Sequence, residues 1–203
     1  MRGKQTIWRP HKAARRMAGW LLVAGLLTAC SPRLNWREVP AAGAPLKFLL
    51  PCDPLSAQRQ LELAQGLDLG PVRMSMTGCD ADYATFALSH FLLPQRERAG
   101  EVLAAWQAVV MGQLGQAGPA ESGLQRLQLK GDGPFLPKGA LNLPQSLRLS
   151  FEGVGPQGWK LTAHAVWFAQ METDGVRLYH AVIYGDKPRA AAASTFFEGL
   201  QLQ

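Results

Sequence analysis

The chain has 203 residues, of which 18% are charged, and its formal net charge is +6. The charge is uneven, because the first 16 residues hold six of the 21 Lys and Arg and none of the 15 Asp and Glu. Without that segment, 15 basic residues stand against 15 acidic ones. A neutral chain lacks the basic stripe by which proteins bind a phosphate backbone, so we expect no nucleic-acid partner.

An uncharged apolar run, MAGWLLVAGLLTA (17–29), follows the basic segment. A transmembrane helix needs about 20 apolar residues. A shorter run behind positive charges is instead typical of a secretory signal peptide. Cys30 stands directly after the run. The other interpretations are an ordinary leader, or a buried N-terminal helix, followed by a chance cysteine.

The run ends in Leu27-Thr28-Ala29-Cys30, which resembles the lipobox of bacterial lipoproteins. This resemblance implies that residues 1–29 are a cleaved signal peptide and that Cys30 is lipidated. Two or more acyl chains on one residue anchor a protein stably in a membrane. The second mature residue is Ser31, not Asp, and by the same resemblance this implies the periplasmic face of the outer membrane, with the inner membrane as the alternative.

Removal of the leader would leave 174 residues, enough for one domain that buries about 70% of its unfolded surface. Cys52 and Cys79 would then lie in an oxidising compartment, where an even pair of cysteines indicates a disulfide. Such a bond would add roughly 3 kcal/mol of stability in the chain-entropy model. A metal site or a redox pair is the alternative, but there is no CxxC and no histidine within ten residues of either cysteine.

Residues 30–45 are polar and rich in Pro and Ala, which predicts a tether. Trp36 interrupts this tether, and we expect its ring to pack on the domain or to lie at the lipid interface. The domain itself is expected over residues 46–203. Short apolar or alternating runs predict its first strands at 46–51, 59–65, 72–78 and 83–91.

The apolar period becomes helical after Pro94. We predict a helix whose apolar stripe covers one face of the sheet, with Val102, Leu103, Trp106, Val109, Val110 and Leu114 on the stripe. A region rich in Gly and Pro follows, with a strand predicted at 124–130. Its tip, GDGPFLPKGALNLPQ (131–145), predicts a long loop, and long loops are where binding usually resides.

The last third predicts three strands and a helix. The strands are SLRLSF (146–151), GWKLTAHAVWFAQ (158–170) and VRLYHAVIYG (176–185), and Asp174-Gly175 is a strong signal for a hairpin between the last two. This turn would pair Met171 with Val176 and place Trp167 opposite His180. The segment KPRAAAASTFFEGLQL (187–202) predicts a terminal helix that packs through Phe196, Phe197 and Leu200.

This order of elements, ending in RLYHAVIYG and a helix that closes in TFFEGLQL, resembles the PsbP-like fold over residues 46–202. The resemblance implies a single α+β domain in which a curved antiparallel sheet is packed by two or more helices. The fragments CSPRLNWREV, LLPCDP, MTGCDADYATFAL and YHAVIYG are also similar to a family of proteobacterial lipoproteins without an assigned activity.

The sequence offers few candidates for chemistry. A zinc site needs three or four ligands, and His90, His164 and His180 bring no further ligand with them, so we expect no metal and no other cofactor. Ser89 and His90 are neighbours in a predicted strand and should point to opposite faces. Asp80 and Asp82 are too few oxygens for a calcium loop and predict a solvated turn. We expect no catalytic residues.

We therefore expect a non-catalytic, membrane-anchored envelope module that binds a protein partner. Phe135, Leu136 and Leu141 of the long loop, together with Trp36, are the predicted contact residues. A lipoprotein that binds a small ligand between sheet and helix is the alternative, and an enzyme of unknown activity is the third. An enclosed apolar pocket would favour the ligand, whereas a filled core with an exposed apolar patch would favour the protein partner.

Overall fold

The computed structural model describes residues 33–63, 68–115, 128–154 and 160–203. Residues 33–203 form one α+β domain. The predicted signal peptide 1–29 and Cys30 lie outside the described residues. Among the described helices, none is long and apolar enough to cross a membrane.

Within the described residues, seven antiparallel strands form the main sheet. Their spatial order is β3-β4-β5-β9-β8-β7-β6, so β3 and β6 are the two edges. The predicted meander and the predicted hairpin supply most of these strands. They are β3 (Leu55–Leu61), β4 (Val72–Ala81), β5 (Ala84–Leu93), β6 (Gln128–Pro134), β7 (Leu147–Val154), β8 (Lys160–Glu172) and β9 (Gly175–Gly185).

A second sheet has three short strands in the order β1-β2-β10, with β1 at Arg37–Pro40, β2 at Leu46–Leu50 and β10 at Gln201–Leu202. The prediction of a tether over residues 30–45 is wrong from Arg33 onward. β1 pairs with β2 along its whole length, and Ala41 is buried. The high Pro and Ala content suggested an extended polar linker, but Val39 in β1 and Ala41 just after it pack on the core.

In the part of the chain that the structure describes, two α-helices cover the main sheet. A short 3₁₀ turn at Arg96–Arg98 leads into α1 (Ala99–Gly115), and α2 spans Ala190–Glu198. The predicted apolar stripe of α1 is confirmed in its first two turns, where Val102, Leu103 and Trp106 are buried. Phe196 and Phe197 of α2 are buried as predicted.

The main sheet is packed on both faces, because successive side chains of a strand point to opposite sides. Trp167 lies in the core beneath α1, whereas its neighbour Phe168 lies in the core beneath the small sheet and α2. We call these the helix-side core and the small-sheet core. The described part of the domain is therefore three layers thick, with the main sheet in the middle.

The β8–β9 hairpin has the predicted register. Met171 pairs with Val176, and Trp167 lies opposite His180. Gly175 is required at the turn because a Cβ atom there would lie 2.3 Å from the carbonyl oxygen of Leu93. Any larger residue would collide with the backbone of the neighbouring strand.

The predicted disulfide between Cys52 and Cys79 is confirmed, with the two α-carbons 5.9 Å apart. Cys52 follows β2, and Cys79 lies in β4, so the bond joins the small sheet to the main sheet. Closing a loop of 27 residues stabilises the fold by about 3.5 kcal/mol in the chain-entropy model.

Candidate functional site

The four residues predicted to contact a partner are not equivalent. The Phe135 ring packs between Phe168 and Phe197, with centroid distances of 5.8 and 6.1 Å. The Trp36 ring lies edge-on to Phe86 at 5.6 Å, so it packs on the domain, which is one of the two placements predicted for it. Leu141 packs on the helix-side core. Of the four, only Leu136 is an exposed side chain, at 45%.

The predicted long loop fills a gap in the main sheet. β8 continues past its last pairing with β7, at Val166. Beyond Val166 the backbone of the loop pairs with β8 in place of β7, since the N–H of Leu141 donates to the carbonyl of Ala169 at 2.8 Å. The start of the loop is held as well, because the N–H of Phe135 donates to the carbonyl of Ser146 at 2.9 Å. Phe135 and Leu141 therefore support the fold, and Leu136 stays the loop's candidate contact residue.

Two adjacent substitutions separate these roles. Phe135→Ala should lower the free energy of unfolding by about 2 kcal/mol, since a partly buried ring contributes less than the roughly 3–5 kcal/mol of a fully buried one. Leu136→Ala should change it by less than about 0.5 kcal/mol, as expected at an exposed position. Urea unfolding of both variants measures the difference. Equal losses would contradict the structural role of Phe135.

His180 lies in the helix-side core between two tryptophans. Its ring stacks on Trp167 at 4.5 Å, with 12° between the planes, and Trp106 approaches edge-on at 5.6 Å. Burial lowers the pKa of His180 to about 3. His180 is buried, and a neutral imidazole between two indoles is a packing residue.

His90 lies on the opposite face of the main sheet, beside Tyr179. Burial, with a smaller repulsion from Arg177, lowers the pKa of His90 to about 4. Nη1 of Arg177 lies 3.2 Å from Nδ1 of His90 and donates to it, while the same guanidinium binds both carboxylate oxygens of Glu172. His90 is thus a neutral acceptor in a structural network.

Among the described residues, His164 and Ser150 are most similar to a catalytic Ser–His pair. Nδ1 of His164 lies 2.8 Å from Oγ of Ser150. The backbone N–H of Arg189 donates to Nε2 of His164 at 3.1 Å, so Nε2 carries no proton. A neutral imidazole then has its proton on Nδ1 and donates it to Ser150. A nucleophilic serine needs the reverse direction, in which the imidazole accepts the hydroxyl proton. The pair is therefore arranged for packing, not for activating Ser150.

The described residues include no group of three or more His, Cys, Asp or Glu side chains that could hold a metal ion. Tyr179, beside His90, has its pKa raised by burial, and its hydroxyl donates to the side-chain oxygen of Gln170 at 3.1 Å. Tyr179 and Gln170 thus satisfy each other, whereas Nε2 of His90 and Nε2 of His180 are buried without a hydrogen-bond partner among the described residues.

The predicted turn lies at the tip of the β4–β5 hairpin, where Asp80 is exposed but Asp82 is held by ion pairs. The guanidinium of Arg189 binds both the side chain and the backbone carbonyl of Asp82. Nη1 of Arg33 lies 3.3 Å from the same carboxylate. Hydrogen bonding from Arg189 holds the pKa of Asp82 below its usual value. Sequence reasoning missed this cluster because its members are up to 156 positions apart.

Asp82 and Tyr83 both have positive φ angles, 47° and 59°. Two-residue hairpin turns of this kind normally use Asn-Gly or Asp-Gly, since a bulky residue is strained at the second position. Tyr83 occupies that position with 85% of its surface exposed. Tyr83 thus has a strained backbone conformation, although its side chain does not pack in the core.

An open groove of about 400 Å³ lies beside this hairpin tip. Its described walls come from β4, β5, β8 and β9. They include Asp80, Thr85, Lys160, Leu161 and Tyr184. Burial raises the pKa of Tyr184 to about 12, so this hydroxyl is protonated at neutral pH. The groove opens to solvent and does not enclose a volume between sheet and helix.

β3 is one of the two edge strands of the main sheet. In the described chain, no strand pairs with the outer side of β3. All its residues except Leu61 are exposed. Its seven residues pair with β4 without a bulge, and Arg59 is the single charge on the strand. Natural edge strands are usually blocked by charges, prolines or bulges, and β3 has little of this protection.

No protein-family model matches the chain, and no curated protein matches it.

Proposed function

We propose that this protein is an outer-membrane lipoprotein, anchored through an acylated Cys30 at the periplasmic face, whose domain binds an envelope protein without catalysing a reaction. The domain is proposed to be a PsbP-like one. The observation that carries the binding role is the open edge of β3. A partner would add a strand there, and its main chain would pair with the unpaired N–H and C=O groups of β3.

Two features of β3 and one of its neighbour β4 support strand addition. The ladder with β4 is regular over all seven pairs, so the outer side of β3 offers a continuous row of backbone groups. Ser56 and Thr77, on neighbouring strands, bond to each other at 2.9 Å and help to fix the edge in place. Met76 of β4, opposite Ala57, is exposed and adds apolar surface beside the small side chain of Ala57.

The alternatives have less support. Small-molecule sites usually bury about 70–90% of the ligand, and the open groove beside the β4–β5 hairpin would leave its ligand in contact with solvent. An enzyme would need an activated nucleophile or a general base. His90, His164 and His180 instead serve as neutral packing or acceptor groups.

A pair of proline substitutions tests strand addition. Opposed residues in an antiparallel ladder alternate between hydrogen-bonded and non-bonded pairs. Ala57→Pro and Gln58→Pro therefore remove one N–H that faces β4 and one that faces outward. The variant that lacks the N–H facing β4 should lose about 1 kcal/mol or more of folding free energy, because a ladder hydrogen bond is broken. The variant that lacks the outward N–H should keep its stability and lose partner binding. A photoreactive residue at Arg59, in cells, measures partner contact as a crosslinked adduct of discrete mass.

The same photoreactive residue at Glu198, an exposed position of α2, is the matched control and should give no such adduct. Cys30→Ser should release the protein from the membrane fraction. An adduct from Arg59 that persists in both proline variants would refute strand addition, while retention of Cys30→Ser in the membrane would refute the anchor.

A further inference from the structure

Among the described residues, the most exposed large apolar side chains lie at one end of the main sheet. Tyr83, at the β4–β5 tip, is 85% exposed, and Leu55, at the start of β3, is 79% exposed. Leu55 pairs with Gly78, three residues before the end of β4, which places it within about 10 Å of that end along the strand direction. We call this region, comprising Leu55 and Tyr83, the apolar end.

The polypeptide enters the domain at the apolar end. Arg33 is the first described residue, and its guanidinium contacts Asp82, the neighbour of Tyr83. The next contacts lie there too, since the N–H of Asn35 donates to the carbonyl of Pro51, beside the disulfide. Two residues separate Cys30 from Arg33, so about 11 Å of extended chain at most joins their α-carbons. A lipidated Cys30 would therefore hold the apolar end close to the bilayer.

The composition of this end suits a phospholipid surface. Tyrosine favours the membrane interface because it has an apolar ring and a polar hydroxyl. Leucine contributes apolar area, and an accessible arginine near an anionic surface adds electrostatic attraction. The Arg33 side chain is 82% exposed, which leaves it accessible to headgroup phosphates. The strained backbone at Tyr83 is consistent with a residue retained for its side chain.

We propose that the apolar end inserts Leu55 and Tyr83 into the headgroup region of the membrane and so fixes the orientation of the domain. This inference rests on the acylated Cys30 of the proposed function. The opposite end of the main sheet, with the β8–β9 turn, then points away from the bilayer. The two ends of β5, ten residues long, are about 30 Å apart.

Fluorescence quenching in vesicles tests this orientation. The full-length protein, acylated in cells and purified from membranes, is reconstituted into vesicles of phosphatidylethanolamine and phosphatidylglycerol. A fluorophore is attached to one introduced cysteine at a time, in Leu55→Cys, Tyr83→Cys or Met171→Cys. Met171 is the matched control, because it is an exposed apolar residue, 48% accessible, at the opposite end of the sheet.

Doxyl-labelled lipid should quench the label at 55 and at 83 and leave the label at 171 unquenched. Tyr83→Ser should reduce the quenching at 55, whereas Met171→Ser should not. Equal quenching at all three positions, or none at 55 and 83, would overturn the proposal. Mass spectrometry of the N-terminal peptide separates the hypothesis of an acylated anchor from the hypothesis about the domain's orientation. An acylated Cys30 with no quenching refutes the orientation alone, while an unmodified Cys30 refutes the anchor and the orientation together.

Discussion

Lowering the pH from 7.5 to 5.0 should lower the free energy of unfolding by about 4 kcal/mol, an effect that we assign to His90 and His180. Both imidazoles are neutral in the folded protein, with pKa values lowered to about 4 and about 3. In the unfolded chain their pKa values return to about 6.5. The unfolded state therefore binds two more protons than the folded state as the pH falls below 6.5.

The sign follows from this difference in bound protons. Stability falls with decreasing pH wherever the unfolded state holds more protons, by about 1.4 kcal/mol per pH unit for each histidine. The loss begins near pH 6.5 and continues until the folded-state pKa values are reached. At pH 5.0 each histidine accounts for about 2 kcal/mol. Urea unfolding at the two pH values measures the total.

His180→Phe is the matched variant for this prediction. Phenylalanine keeps an aromatic ring between Trp106 and Trp167 and cannot bind a proton. It also removes Nε2 of His180, a buried polar atom without a hydrogen-bond partner among the described residues. We expect the difference between the two pH values to shrink by about half, to about 2 kcal/mol. An unchanged difference would show that other groups cause the acid sensitivity.

Local sequence signals identified most individual elements. Asp174-Gly175 fixed the register of the β8–β9 hairpin, and the helical spacing of Val102 and Trp106 located α1. These features depend on residues close together in the chain. The small sheet was not predictable in the same way, because β10 has two residues and pairs with β2 across about 150 positions.

The candidate sites depended even more on distant contacts. Arg189 and Asp82 are 107 positions apart, and nothing in either local sequence indicates the other. The exposed edge of β3 follows from the strand order, which alternation within a strand does not reveal. Phe135 lies in a segment rich in Pro and Gly, which resembles a surface loop until Phe168 and Phe197 are seen to enclose it. Local sequence patterns therefore predicted most strands and helices, whereas the contacts that form the candidate sites became visible only in the tertiary structure.

Phe86→Ala should destabilise the domain by about 4 kcal/mol, within the range for a fully buried aromatic residue. Phe86 is completely buried in the small-sheet core. Its ring meets Trp36 edge-on at 5.6 Å and Phe196 edge-on at 5.7 Å. One side chain of β5 thus holds both the segment before β1 and the terminal helix α2 against the main sheet. Truncation leaves a cavity that only a coordinated shift of both segments could fill.

A double-mutant cycle shows whether the segment that begins at Arg33 is part of the domain. Trp36→Ala and Phe86→Ala, singly and together, should show a coupling of about 0.5–1.5 kcal/mol, as measured for edge-to-face aromatic pairs. Phe86→Leu, which keeps most of the volume, should lose less than about 1.5 kcal/mol. Strictly additive losses for Trp36 and Phe86 would mean that Trp36 is not packed on the domain. The chain after Cys30 would then behave as a flexible tether, and the proposed short link between the apolar end and the membrane would lose its support.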